Sequence, residues 1–187
     1  MANEEKIKYI VFIAAVNKES IGKLRVAITE AINSGYNKLY FLISSGGGNV
    51  VEGLNIAAFI KSLSVETIMH NIGQVDSVAN VIFTSAKKRC ANNNASFLFH
   101  GISMNFEKAN FNFQQLSEQL QIAERLEENI AQNVASYIEV EIEKIKELMS
   151  RSQKIVSVDE AKTLRIVHEI KDVKIPQGAE VVSIGNT

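Results

Sequence analysis

Residues 38–63 read "KLYFLISSGGGNVVEGLNIAAFIKSL", and the turn inside this stretch decides how the chain folds. From Leu39 to Ile43 the residues are continuously apolar, as in a strand buried on both faces. Three glycines follow, and residues 49–63 then read as a helix. Strand, tight turn and helix in that order form the repeating unit of a parallel sheet.

The same order recurs on either side. "KYIVFIAAV" (8–16) is a second continuous apolar run. Behind it, residues 20–33 space Ile21, Leu24, Ile28, Ala31 and Ile32 as a helix does, and Ser34-Gly35 ends the pattern. "VETIMH" (65–70) is a strand, with a helix predicted to open at Ser77. "KRCA" and "SFLFH" are short strands around the turn at 92–94. From 102 to 113, Ile102, Met104, Phe106, Phe111 and Phe113 suggest a strand or extended arm. A long helix with Leu116, Leu120, Ala123, Ile130 and Val134 on one stripe comes next. It should break near 137–145 before another helix. Ser157 and Glu160 have capping-box spacing for a further short helix, and the tail is strand-like with a turn at Pro176. The pattern is that of an α/β fold with a largely parallel sheet.

Composition narrows the function. A length of 187 residues with 46% apolar content suits one domain spanning 1–187. A net charge of −1 favours neither nucleic acid nor an anionic membrane as a partner. Cys90 stands alone, and no His/Cys cluster has metal-ligand spacing, so neither metal nor cofactor is implied. The opening "MANEEK" lacks the basic-then-apolar order of a signal peptide, and "YIVFIAAV" is too short to span a bilayer. A cytoplasmic location is the expectation.

The glycine turn invites a phosphate-site reading, which its spacing refuses. Val51 stands where a dinucleotide fingerprint needs its third glycine, and Leu54 where a P-loop needs lysine. Consecutive glycines still expose backbone N–H groups able to hold an oxyanion. The plain alternative is a tight connection that needs positive φ. Ser77 alone would be a helix cap, and His100 alone a half-buried strand end. Yet Gly48, Ser77 and His100 all fall at the carboxyl ends of predicted strands, the edge where α/β sheets assemble their sites.

With those residues in place, the sequence resembles the proteolytic subunit of the Clp protease family. "SSGGGNVVEGLNIAAFIK" is similar to that family's glycine turn and following helix. "GQVDSVANVIFTSAKKRCANNNASFLFH" is similar to its nucleophile turn, its "K-R-x-C" strand and its strand ending in histidine. The likeness runs from about residue 6 to 170 and is best between 38 and 100. It implies the superhelix of repeated ββα units shared with crotonases, with a head (6–100 and 155–175) and a strand-helix handle with its long helix (101–150). It also implies Ser77 as nucleophile, His100 as general base, and the N–H groups of Gly48 and Val78 as oxyanion hole. Self-association into rings, a peptide or unfolded-protein substrate, and an AAA+ unfoldase or paralogous subunit as partner are implied too.

The family's third catalytic residue is an aspartate. Here Gln153 takes that place when counted from "VSVDEA", and Ser152 when counted from "ASYIEVEIEKI"; neither is an acid. In serine proteases an Asp-to-Asn change there lowers kcat about 10⁴-fold through the wrong tautomer. Asp76 stands where the family has a small residue, and is expected to point away and cap the helix start. The departures leave a second reading, an inactive ring subunit acting as scaffold or regulator. A Ser/Lys peptidase using Lys87 or Lys88 is a third.

Overall fold

The computed structural model describes residues 5–103, 111–150 and 153–185. Its centre is a sheet in the order β6-β5-β3-β2-β1-β8, with β4 joined to β3 and β7 to β4. The strands are β1 (Ile7–Ile13), β2 (Lys38–Ser45), β3 (Glu66–Asp76), β4 (Lys88–Ala91), β5 (Ser96–Phe99), β6 (Lys154–Ser157), β7 (Glu169–Ile170) and β8 (Glu180–Gly185). All pairings are parallel except β5 with β6. The helices are α1 (Lys18–Asn33), α2 (Val50–Ser62), α3 (Ala79–Thr84), α4 (Phe113–Ile138), α5 (Ile142–Met149) and α6 (Val158–Thr163). This is the α/β architecture read from the sequence.

One sheet face makes the main core. Ile10, Phe12, Leu39, Phe41, Ile43 and Met69 pack there against Leu24 and Ile28 of α1 and Ile56 and Ile60 of α2. Alternation along the strands sends Tyr9, Tyr40 and His70 to the other face, where the rings lie 5.3 and 5.9 Å apart.

Three expectations need correction. β3 does not end at His70 but continues to Asp76, because its edge serves two partners in succession. β4 pairs with Ile68–Asn71, and β5 with Gln74–Asp76, so the turn at 92–94 passes from one to the other along the same edge. Gly73 within this run weakens any strand signal. Second, Phe113 is not the end of an arm but the first residue of α4, which Asn112 and Gln115 open with reciprocal capping bonds of 2.8 and 3.0 Å. Residues 104–110 of the expected arm lie outside the described residues. Third, the Ser157 box is half made. Ser157 Oγ accepts from Glu160 N–H, while the Glu160 carboxylate turns to Lys154 Nζ at 3.1 Å.

Candidate active site

The extension of β3 determines where the site forms. Val75 and Asp76 pair with Phe97 and Leu98, and Ser77 N–H donates to the Leu98 carbonyl at 2.9 Å. Ser77 and His100 therefore follow directly on two hydrogen-bonded parallel strands. Both residues are half-buried.

Ser77 is not a helix cap. Its φ is +56°, in the left-handed region that a non-glycine residue adopts at a cost. The cap position of α3 belongs to Val78, and no side chain caps that helix. Asp76 does not cap it either, contrary to expectation. Instead its carboxyl is partly buried, and burial raises its pKa, while nearby His100 pulls in the opposite direction.

What holds Ser77 in this strained turn is Asn80. Its side-chain amide donates to the Ser77 carbonyl at 3.0 Å and to the Leu98 carbonyl at 2.9 Å, tying the turn to the strand that precedes His100. Asn80 is fully buried, and its Oδ1 has no hydrogen-bond partner among the described residues. Sequence reasoning passed over this residue. The available cue was a single amide inside the apolar run "VANVIF".

The glycine turn after β2 presses on the same place. A Cβ on Gly47 would lie 2.7 Å from both the Asp76 carbonyl oxygen and Ser77 Cβ, and 3.3 Å from Ser77 Oγ. Gly48 forms a parallel bridge with Val16, whose two bonds run through Gly47 C=O (2.8 Å) and Asn49 N–H (2.7 Å). In a parallel bridge the central residue's own N–H points the other way. Among the described residues, neither Gly48 N–H nor Val78 N–H donates a hydrogen bond. Gly48 is exposed, whereas the Val78 side chain is buried.

On the far side, β6 runs antiparallel to β5 with Phe99 opposite Lys154. One further step in that register sets Gln153 across from His100. Gln153 is exposed and makes no hydrogen bond to His100; His100 Nδ1 instead bonds the Gly101 carbonyl. Ser152 lies outside the described residues. The two candidate lysines are elsewhere. Lys87 Nζ donates to the Ser64 and Val65 carbonyls, and Lys88 pairs with Ile68 at the opposite end of β3. That geometry removes the Ser/Lys reading.

The Clp protease family model matches residues 6–174. The chain belongs to the Clp protease family. Among solved structures, an asparagine-to-aspartate mutant of ClpP1 from Listeria monocytogenes superposes with a TM-score of 0.79. The match covers 89% of this chain and 92% of that one at 21% identity, so it speaks for the fold. A search of curated proteins gives no match. Among the described residues no group of His, Cys, Asp and Glu is arranged to hold a metal ion, and no helix is long and apolar enough to cross a membrane.

Proposed function

We propose that this chain is a Clp-type serine peptidase that cleaves peptide bonds of peptides or unfolded proteins through an acyl-enzyme, in a self-associated ring. The observation that carries the reading is Ser77, a serine held at positive φ beside the strand that His100 directly follows. Backbone strain of that kind persists where surrounding structure enforces it, as Asn80 and Leu98 do here.

In this mechanism Ser77 Oγ attacks the scissile carbonyl carbon as its proton passes to His100 Nε2. The oxyanion is received by the N–H groups of Gly48 and Val78, donors of a kind whose individual loss typically costs about 2.7–4 kcal/mol. His100 then gives the proton to the amine nitrogen as the C–N bond breaks, and water repeats the sequence to release the acyl group. The family aspartate would hold the tautomer with hydrogen on Nδ1. The Gly101 carbonyl accepts from Nδ1 in its place, which leaves Nε2 free to act as base. A neutral carbonyl stabilises the imidazolium less than a carboxylate does, so slow turnover is expected.

Exposed apolar side chains along α4 support self-association: Phe113 is 89% exposed, with Leu116 and Leu120 also in the open. An AAA+ unfoldase or a paralogous subunit is the partner class this reading allows. Intact-mass labelling with a fluorophosphonate tests the chemistry. Stoichiometric labelling, lost in Ser77→Ala and in His100→Ala, is the expected result. The absence of a bond between Gln153 and His100 favours the second reading, an inactive ring subunit. No labelling in a correctly assembled oligomer would establish that alternative instead.

A further inference from the structure

A concavity lies well away from Ser77. It has a volume of about 450 Å³ and is lined by Lys61, Lys87, Arg89, Lys162, Arg165 and His168, with Glu139 as its one carboxylate. Arg89 pairs with Met69, seven residues before Asp76 on β3, which places the cavity roughly 20 Å from the serine turn at about 3.3 Å per strand residue. Nothing in the proposed peptidase chemistry uses it.

The charge here is concentrated in a chain whose overall balance is −1. The ends of helices explain part of it. Lys61 and Lys162 lie in the last turns of α2 and α6, where a cation suits the helix dipole. Lys87 serves the carbonyls of Ser64 and Val65. Arg89 is buried and donates to the carbonyls of Ile166, Ala86 and Arg165, with its other contact to His168. These are structural tasks, and they leave the charge unbalanced. Elsewhere on the surface, lysines meet carboxylates: Lys38 with Glu66, Lys146 with Glu128, Lys154 with Glu160. None of the five cavity lysines and arginines forms an ion pair among the described residues. Lys162 and Arg165 have no side-chain partner there, and Lys61 rests 4.9 Å over the Tyr137 ring. Burial lowers the pKa of Arg89 to about 10, with the Glu139 carboxylate pulling the other way.

We propose that this cavity binds a small phosphorylated polyanion of the di- or triphosphate class. Its volume falls in the range of small-molecule sites, roughly 300–1,000 Å³. Lys61, Lys162 and Arg165 offer ammonium point charges and a guanidinium fork whose geometry matches phosphate oxygens. Several cations around one cavity need more negative charge than a single carboxylate supplies. Arg89 and Lys87 fix the floor and make the positive field permanent.

Inorganic tripolyphosphate is the probe. Calorimetric titration of the full chain at low salt should show saturable binding, one equivalent per chain, weakened severalfold in 0.5 M salt. Reversing Lys162→Glu with Arg165→Glu should weaken it at least tenfold. Both side chains are exposed, so the variant should fold; the milder Lys162→Gln with Arg165→Gln provides a second measurement at several-fold loss. Lys18→Glu with Lys144→Glu, exposed elsewhere, should leave binding within twofold. Absence of saturable binding would overturn the proposal, as would equal losses in the two reversal variants. Citrate or an acidic peptide binding as tightly as tripolyphosphate would overturn the phosphate assignment.

Discussion

At Ser77 and its neighbour Asp76 the chain accepts two local costs side by side. The left-handed φ of Ser77 is strain that glycine would not feel, worth about 1 kcal/mol. Ser77→Gly should therefore melt about 2–4 °C above Ser77→Ala, although both remove the hydroxyl. Equal melting temperatures would show that the turn is relaxed. Asp76 adds an electrostatic cost. Burial lifts its pKa above the ordinary 3.8, so the native state holds its proton more tightly than the unfolded chain does. The linked stability is present below pH 3.8 and lost as pH rises through the native pKa. At neutral pH the ionised carboxylate is a penalty, and Asp76→Asn should raise the melting temperature by about 1–2 °C. That gain should shrink as the pH is lowered toward 4; a variant no more stable than the parent at pH 7.5 would contradict it.

Among the elements, contact between two turns is as important as either turn alone. α2 approaches α3 closely at Gly53, where a Cβ would stand 2.4 Å from Val78 Cγ2. Gly53→Ala should cost about 1–3 kcal/mol through overpacking and should also slow labelling of Ser77, since Val78 must move. Gly22 in α1 is the control, because a Cβ added there would have nothing within 4 Å. Gly22→Ala should be neutral or stabilising by up to about 1 kcal/mol. Similar losses at both positions would mean that helix propensity, and not this contact, sets the result. The contrast also shows what the sequence could disclose. Apolar runs such as Leu39–Ile43 and the spacing of Ile21, Leu24 and Ile28 identified strands and helices because burial patterns are local. The extension of β3 to Asp76 was hidden because its cause, pairing with β5, lies more than twenty residues away. Asn80 was hidden for a related reason: one of its two acceptors, the Leu98 carbonyl, is remote in sequence, and only folding brings it to the turn. Gly48, Ser77 and His100 could be singled out because each lies at the carboxyl end of a predicted strand or in the loop that follows; their catalytic roles remain the proposal.

For the molecule as a whole, two histidines fasten the returning tail to the sheet. His70 is fully buried, and its Nε2 faces two acceptors, Asn92 Oδ1 at 2.9 Å and the Lys171 carbonyl at 3.0 Å. Nε2 must then carry the hydrogen, so Nδ1 accepts from Tyr40 O–H at 2.7 Å. A second proton has no acceptor waiting, and burial depresses the pKa of His70 below 6.5. His168 is pushed the same way by burial and then by Arg89, whose guanidinium nitrogen lies 2.7 Å from its Nε2. For both groups the unfolded chain binds protons more readily than the folded one below pH 6.5. Stability is thus full above that pH and is lost as pH falls toward the depressed native values. Lys171 and Arg89 belong to different segments, so acid should loosen the docking of residues 166–171 on β3 and β4 and lower the global melting temperature with it. A melting temperature that holds from pH 8 to 6.5 and then falls toward pH 5 is expected. His70→Gln should be less stable at pH 8 by about 1–3 kcal/mol, from the disturbed buried hydrogen bonds, but should show a shallower acid slope. A parent protein equally stable at pH 8 and pH 5 would show that neither histidine acts as an acid-sensitive fastening, and a His70→Gln slope as steep as the parent's would remove His70 from that role.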